Sequence, residues 1–310
     1  VNYGLILIRW LHFTTVLFLF GALLFQYYGG DKSKFRDLYR ALPAFPVRFR
    51  SSLVAASILA FFSATAWLAL EAGEMGNGPM DSLSPKAIWD VLTGTTFGHI
   101  WQIHLAASLA LVVVVTTRAP ERRHLDVVFC LTAIILASQA WVGHAVVERG
   151  IDGILHLINQ TVHLFAAGTW LGGLIAVAFA LRQIDKDENG RCPTPSLQML
   201  LRFSSLCSTA VILIILSGLV DCWFLVGNVH FLINTRYGQV LIVKLVLFSV
   251  MIGIGAFNRF VLLPRLTSVS HRQESLSILC LVVTVEQVLS VLVLVVVSVL
   301  GILSPAVIGP

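Results

Sequence analysis

Ile154–Leu181, ILHLINQTVHLFAAGTWLGGLIAVAFAL, is the stretch whose reading decides the fold. It holds no charged side chain over 28 residues, more than the ~20 a helix needs to cross a bilayer. Two histidines and two amides interrupt it: His156, Asn159, Gln160 and His163, spaced i, i+3, i+4 and i+7. On a helix this spacing stacks all four into one polar stripe. Ionisable groups inside a span are costly and usually face the bundle interior or a water-filled cavity.

Seven further apolar runs flank this one. They are approximately Tyr3–Tyr28, Phe49–Leu70, His99–Thr117, Leu125–Val147, Met199–Val226, Gln239–Leu262 and Ser277–Leu303. Clusters such as Gly76-Asn77-Gly78-Pro79 and Gly190-Arg191-Cys192-Pro193 separate them. The expected architecture is an all-α, polytopic membrane helix bundle of about eight spans, with residues 1–310 forming a single integral membrane domain. Composition agrees. Only 12% of residues are charged and mean hydropathy is +0.88, whereas soluble domains carry about 25% charged residues. The first run lacks a basic leader and an obvious cleavage site, so it is expected to be a retained span. The net charge of +5 does not indicate nucleic acid, because the basic residues sit in short loops between spans. No G-x-x-x-x-G-K-[ST] motif argues for ATP hydrolysis, no C-x-x-C pair argues for a thiolate metal site, and no internal repeat is evident.

Basic residues alternate from loop to loop. Lys32, Lys34, Arg36, Arg40, Arg48 and Arg50 follow the first run, and Arg118, Arg122 and Arg123 the third. Arg182, Lys186 and Arg191 follow the fifth, and Arg259, Arg265 and Arg272 the seventh. The opposite loops hold Lys86, Arg149 and Arg236. Positive residues mark cytoplasmic loops, so both termini are expected on the periplasmic side of a bacterial inner membrane.

With that orientation, histidines from four spans enter the outer half: His12, one turn from Arg9, then His99 and His104, then His144, then His156 and His163. A lone intramembrane histidine often just fastens two helices; several in one half of the bilayer point to a metal or cofactor site. His156 and His163 lie roughly 10 Å apart along their helix, so each is expected to meet a histidine of a neighbouring span. His99 and His230 read as surface residues, and His124 and His271 as part of the basic inner face. Glu286 is expected either to carry protons or to pair with Arg9 or Lys244, and Asp221 with Lys244 to form an interhelical ion pair. Gly168 and Gly172 form a G-x-x-x-G that lets another helix approach closely.

Several motifs resemble the copper-resistance D family of bacterial inner-membrane proteins. They are His163 to Gly173, Tyr237 to Lys244 continuing through Asn258-Arg259 to Leu263-Pro264-Arg265, and the last span with Glu286. Arg9-Trp10-Leu11-His12-Phe13 and Val142-Gly143-His144-Ala145 are similar to the front of its eight-span members. The resemblance implies copper moved from periplasm to cytoplasm, with a separate periplasmic copper-binding partner of the C type. His12, His144, His156 and His163 carry over as copper ligands, with His104 added from its position in the bundle. Asn159, Gln160 and Glu286 would continue the path inward. The alternative is b-type haem held by paired histidines among His12, His144, His156 and His163, with Arg9 on a propionate and Gly143, Ala166, Ala167 and Gly168 making room. The protein would then be an electron-transfer subunit or copper reductase.

Overall fold

The computed structural model describes residues 2–28, 44–76, 78–117, 122–142, 150–185, 194–266 and 272–308. Those residues are helical almost throughout, with no strand among them. A chain this apolar must satisfy its backbone within each segment, and the helix does so without a partner.

The first long helix, α1 (Tyr3–Tyr28), is followed by α2 (Ala44–Met75), a 3-10 turn at Pro79–Leu83, the short α3 (Pro85–Gly94) and α4 (Thr96–Thr117). Then come α5 (Arg122–Ser138, extended by a 3-10 turn to Val142) and α6 (Gly150–Ala167), which runs through a π-turn at Gly168–Gly172 into α7 (Gly173–Asp185). The remainder is α8 (Thr194–Leu225), the short α9 (Val229–Asn234), α10 (Arg236–Phe257), a π-turn at Asn258–Leu262, α11 (Leu263–Arg265) and α12 (Arg272–Leu300). Among the described residues, eight helical segments are long and apolar enough to cross a membrane, with α6–α7 and α10–α11 each counting as one. Their outward faces are lined by exposed apolar side chains such as Phe62, Leu219, Trp223, Phe260 and Leu281, as lipid contact requires.

Helix α1 is the hub. It packs against α2, α5, α7, α12 and the Gly168–Gly172 turn. At that turn the backbones touch: a Cβ on Gly172 would collide with the Leu17 carbonyl, and one on Gly21 with Gly172 and Gly173. The expected close approach at G-x-x-x-G is therefore present, and its partner is α1.

The end of the bundle where α1 starts and α12 stops is termed the upper end. There α3 and α9 lead into α4 and α10 through the same elbow, a repeat that inspection of the sequence passes over. Thr95 Oγ1 donates to the Val91 carbonyl (2.7 Å) and accepts from Gly98 N (2.9 Å). Thr235 Oγ1 donates to Phe231 O (2.7 Å) and accepts from Gly238 N (3.0 Å). Any side chain at Gly98 or Gly238 would strike the carbonyl of Val91 or Leu232. The shared residues are only T-x-[FY]-G (Thr95 to Gly98, Thr235 to Gly238), too short to stand out among apolar neighbours.

Candidate functional site

Two polar assemblies occupy the upper half. The first is closed. His12 of α1 and His104 of α4 are each fully buried, with ring centroids 4.9 Å apart. His12 Nδ1 lies 2.9 Å from Ser63 Oγ on α2, and His104 Nδ1 lies 2.8 Å from Ser138 Oγ on α5. Each serine already donates its hydroxyl proton down its own helix, Ser63 to Ala60 O (3.1 Å) and Ser138 to Ile135 O (2.8 Å). A hydroxyl has one proton, so both oxygens act as acceptors and both Nδ1 atoms carry the hydrogen. The lone pairs then sit on Nε2, and neither Nε2 has a hydrogen-bond partner. Indole rings enclose the pair. Trp101 stacks on His104 at 4.3 Å and 3°, and Trp67 meets His12 edge-on at 5.6 Å. The indole N–H groups point elsewhere, to Ala64 O (2.9 Å) and Glu71 (3.2 Å). One turn toward the upper end, Arg9 donates to Gly301 O (3.0 Å), and its guanidinium lies 4.8 Å from the Trp67 ring in the field of Glu71.

The second assembly borders a cavity of about 460 Å³. His156, Gln160 and His163 of α6 line it, with Asp221 and Cys222 of α8, Tyr237 and Lys244 of α10, Gln139, Arg9 and Trp67. Trp67 thus separates the two assemblies. The expected polar stripe is real, and among the described residues its partner across the helix interface is a carboxylate. Asp221 lies 3.5 Å from His156 Nε2 and 3.8 Å from His163 Nδ1, and it accepts from Asn159 Nδ2 at 2.6 Å. Asn159 also donates to Ser217 O (2.9 Å), so its amide nitrogen fastens α6 to α8. His163 repeats the arrangement of the first assembly: Nδ1 is 2.8 Å from Ser217 Oγ, which donates to Leu213 O (2.6 Å). His156 stacks on Phe224 at 4.6 Å. The expected Asp221–Lys244 ion pair is absent within 4.0 Å among the described residues. Lys244 feels the Asp221 charge only from a greater distance.

In the lower half, Glu286 meets neither Arg9 nor Lys244. It is buried on α12 and accepts from Asn258 Nδ2 at 2.6 Å, while its other oxygen has no hydrogen-bond partner. Asn258 opens the π-turn after α10, and that turn and Trp170 of the other π-turn border a smaller cavity of about 280 Å³ with Ser204, Cys207 and Arg259. Glu286→Leu is expected to lower the thermal midpoint in detergent, because it strips the Asn258 amide of its acceptor at a cost of about 1–3 kcal/mol. Glu286→Gln, which keeps an acceptor, should stay near wild type.

His144, His124 and His271 lie outside the described residues or have undescribed side chains, as do most of the basic loop residues. His99 and His230 are exposed and bonded locally, to Thr93 O (3.0 Å) and Asn234 (3.1 Å). Among the described residues no three His, Cys, Asp or Glu side chains form a ready metal cage. The sequence reading missed the serines and Gln139, a buried cavity residue whose amide atoms lack hydrogen-bond partners. Serine in an apolar helix carries no signal until the helix opposite it is known.

These features define an eight-helix membrane protein with buried imidazoles prepared on one side of its bundle. Residues 1–154 match the family model described as copper resistance protein D-like, N-terminal domain, and residues 197–300 match that of copper resistance protein D. The chain is 32% identical to the inner membrane protein YebZ of Escherichia coli (strain K12) over 300 residues, 97% of this chain and 98% of that one. It is 31% identical to copper resistance protein D of Pseudomonas syringae pv. tomato over 273 residues, 87% and 85% of the two chains. With the copper transport protein CutJ of Bacillus subtilis (strain 168) it shares 33% identity over 193 residues, 59% of this chain and 34% of that protein. No solved structure matches it. The chain belongs to the copper resistance protein D family.

Proposed function

We propose that this protein binds copper at the histidines of its upper half and moves the ion from periplasm to cytoplasm, in copper resistance or supply. One observation carries the reading. His12, His104 and His163 each pair Nδ1 with a serine hydroxyl and leave Nε2 clear of that contact, and such outer hydrogen bonds typically orient metal-binding imidazoles. His156 with Asp221 and His144 complete the ligand set, and Asn159, Gln160 and Glu286 continue the path downward. The alternating basic loops support a reading with the upper end and both termini in the periplasm of a bacterial inner membrane, where a separate copper-binding protein of the C type delivers the ion. His163→Ala is expected to reduce bound copper and cellular copper accumulation at least several-fold. Unchanged copper content and unchanged accumulation would refute the reading.

The size of the cavity bears on a second reading, b-type haem. A volume of about 460 Å³ with Arg9 and Lys244 on its wall exceeds what one ion needs. The histidines fit it poorly, however. Those described in the lining, His156 and His163, share one face of α6, and axial ligands must come from opposite sides of a porphyrin. An absorption spectrum of the purified protein separates the readings: no Soret band and bound copper support transport of the ion, and a Soret band supports haem.

A further inference from the structure

We infer that Glu286 and Asn258 form a proton site in the lower half of the bundle, where the Glu286 carboxyl carries one hydrogen and gives it up when a copper ion arrives. The exchange deepens the copper reading and rests on it; the proton site itself does not.

Asn258 Nδ2 donates to Glu286 Oε2 at 2.6 Å, whereas Glu286 Oε1 and Asn258 Oδ1 both lack a hydrogen-bond partner. The two residues are 1% and 7% exposed, so solvent does not satisfy those oxygens. Buried polar atoms are normally paired. A carboxylate only accepts, but a carboxylic acid has an O–H to donate. Ionised, Glu286 leaves two acceptors facing no donor. Protonated, it turns one of them into a donor, and the other belongs to the residue it already touches. One hydrogen thus supplies the donor that both orphaned oxygens need. A resident hard cation would take about six oxygen ligands, and the pair offers two.

Charge balance points the same way. Among the described residues no cation pairs with Glu286, and the elements packed on α12 commit their charges elsewhere. Arg259, next to Asn258, donates to Ser204 Oγ on α8 (3.0 Å). Arg182 of α7 reaches Thr284 Oγ1 (3.4 Å), and Arg265 of α11 is exposed. Lys244 stands fourteen residues above Asn258 on α10. On α1, Arg9 is bonded to Gly301 O, fifteen residues or about 22 Å farther up α12, and Tyr27 stacks on Phe129. From α8, Cys207 brings a thiol to the wall of the lower cavity. A carboxylate without a cation is costly in an apolar span, and a bound hydrogen removes its charge. Gly255 gives the hydrogen a way out. A Cβ there would lie 3.3 Å from Glu286 Oε1, and Gly255 lines the lower cavity of about 280 Å³. Asn258 itself opens a π-turn, a distortion frequent at functional positions. Arrival of copper(I) breaks the O–H bond and forms a carboxylate–metal contact, while the hydrogen leaves as H⁺ into that cavity. One positive charge replaces another, so the buried site stays neutral throughout.

The test is infrared difference spectroscopy of the full metal-free chain in detergent. At neutral pH it should show the carbonyl band of a protonated carboxylic acid, shifted in D₂O. The band should be lost in Glu286→Gln, which keeps an acceptor for Asn258, and should change frequency in Asn258→Leu, which removes the amide. Anaerobic addition of Cu(I), or of Ag(I) as a redox-stable probe, should abolish the wild-type band. Wild type should then release one more proton per chain than Glu286→Gln, because metal binding to a protonated ligand expels its hydrogen. No Glu286 band at neutral pH, or a band that neither ion alters, would overturn the inference. If His163→Ala loses copper while wild type shows no Glu286 band, the transport reading stands and this inference fails. If His163→Ala keeps its copper, the transport reading and the exchange fail, while the wild-type band still decides whether Glu286 holds the hydrogen.

Discussion

Asp221→Asn is expected to leave the protein folded yet lower its affinity for copper at the cavity by about 10–100-fold, the usual effect of losing a group that orients metal-binding imidazoles. The carboxylate meets three residues of one helix face, His156, His163 and Asn159, from across the α6–α8 interface. Asparagine has nearly the same shape and keeps one acceptor for the Asn159 amide, but it brings no charge to polarise the imidazoles. Asp221→Ala removes both functions. It leaves Asn159 Nδ2 with only the Ser217 carbonyl, and losing hydrogen bonds to a charged group costs about 1.5–3 kcal/mol each. Partial exposure of Asp221 to the cavity, 15% of its side chain, reduces that figure. The expected pattern is a lower thermal midpoint for the alanine variant alone, and weaker copper binding for both. Isothermal titration together with thermal unfolding in detergent distinguishes these results. Copper affinity unchanged in Asp221→Asn would make the carboxylate a helix fastener only.

Gly172→Ala should be strongly damaging, because among the described glycines an added Cβ there comes closest to a backbone atom of another helix. Alanine is the better helix former by about 1 kcal/mol, so local propensity alone predicts a gain. The added methyl group, however, would sit in the Leu17 carbonyl of α1, and overpacking costs about 1–3 kcal/mol even where side chains can shift. Here the obstacle is backbone on both sides, so the upper end of that range or beyond is expected. The consequence spreads because α1 also holds His12 and packs on five other elements. Moving α1 would separate His12 from both Ser63 and His104. Folded yield from membranes and the thermal midpoint should both fall, while Gly253→Ala on α10, where an added Cβ meets nothing within 4 Å, should change neither.

The candidate site was legible in its ligands and illegible in their partnerships. His12, His104, His156 and His163 could be picked out because imidazole is rare and costly in apolar helices. The partners could not. Ser63, Ser138 and Ser217 look like any small residue in a membrane span. Asp221 near a helix end had a simple explanation in Lys244, and Glu286 had two cations to choose from. In each case the choice depended on which faces of which helices meet. The structure selected His156, His163 and Asn159 for Asp221, and Asn258 for Glu286.

The sequence by itself determined the class of the protein, the number of its spans and the half of the bundle that holds the histidines. Those properties follow from one-dimensional quantities: run length against bilayer thickness, and the depth of a residue within its run. Only the tertiary structure decided which imidazoles pair, which tautomer each adopts and that an indole wall separates a closed pair from an open cavity. Such outcomes depend on the rotation of each helix about its own axis. In lipid, where apolar side chains gain nothing from leaving solvent, that rotation is set by close packing and hydrogen bonds between helices, as at Gly21 against Gly172 and His12 against Ser63.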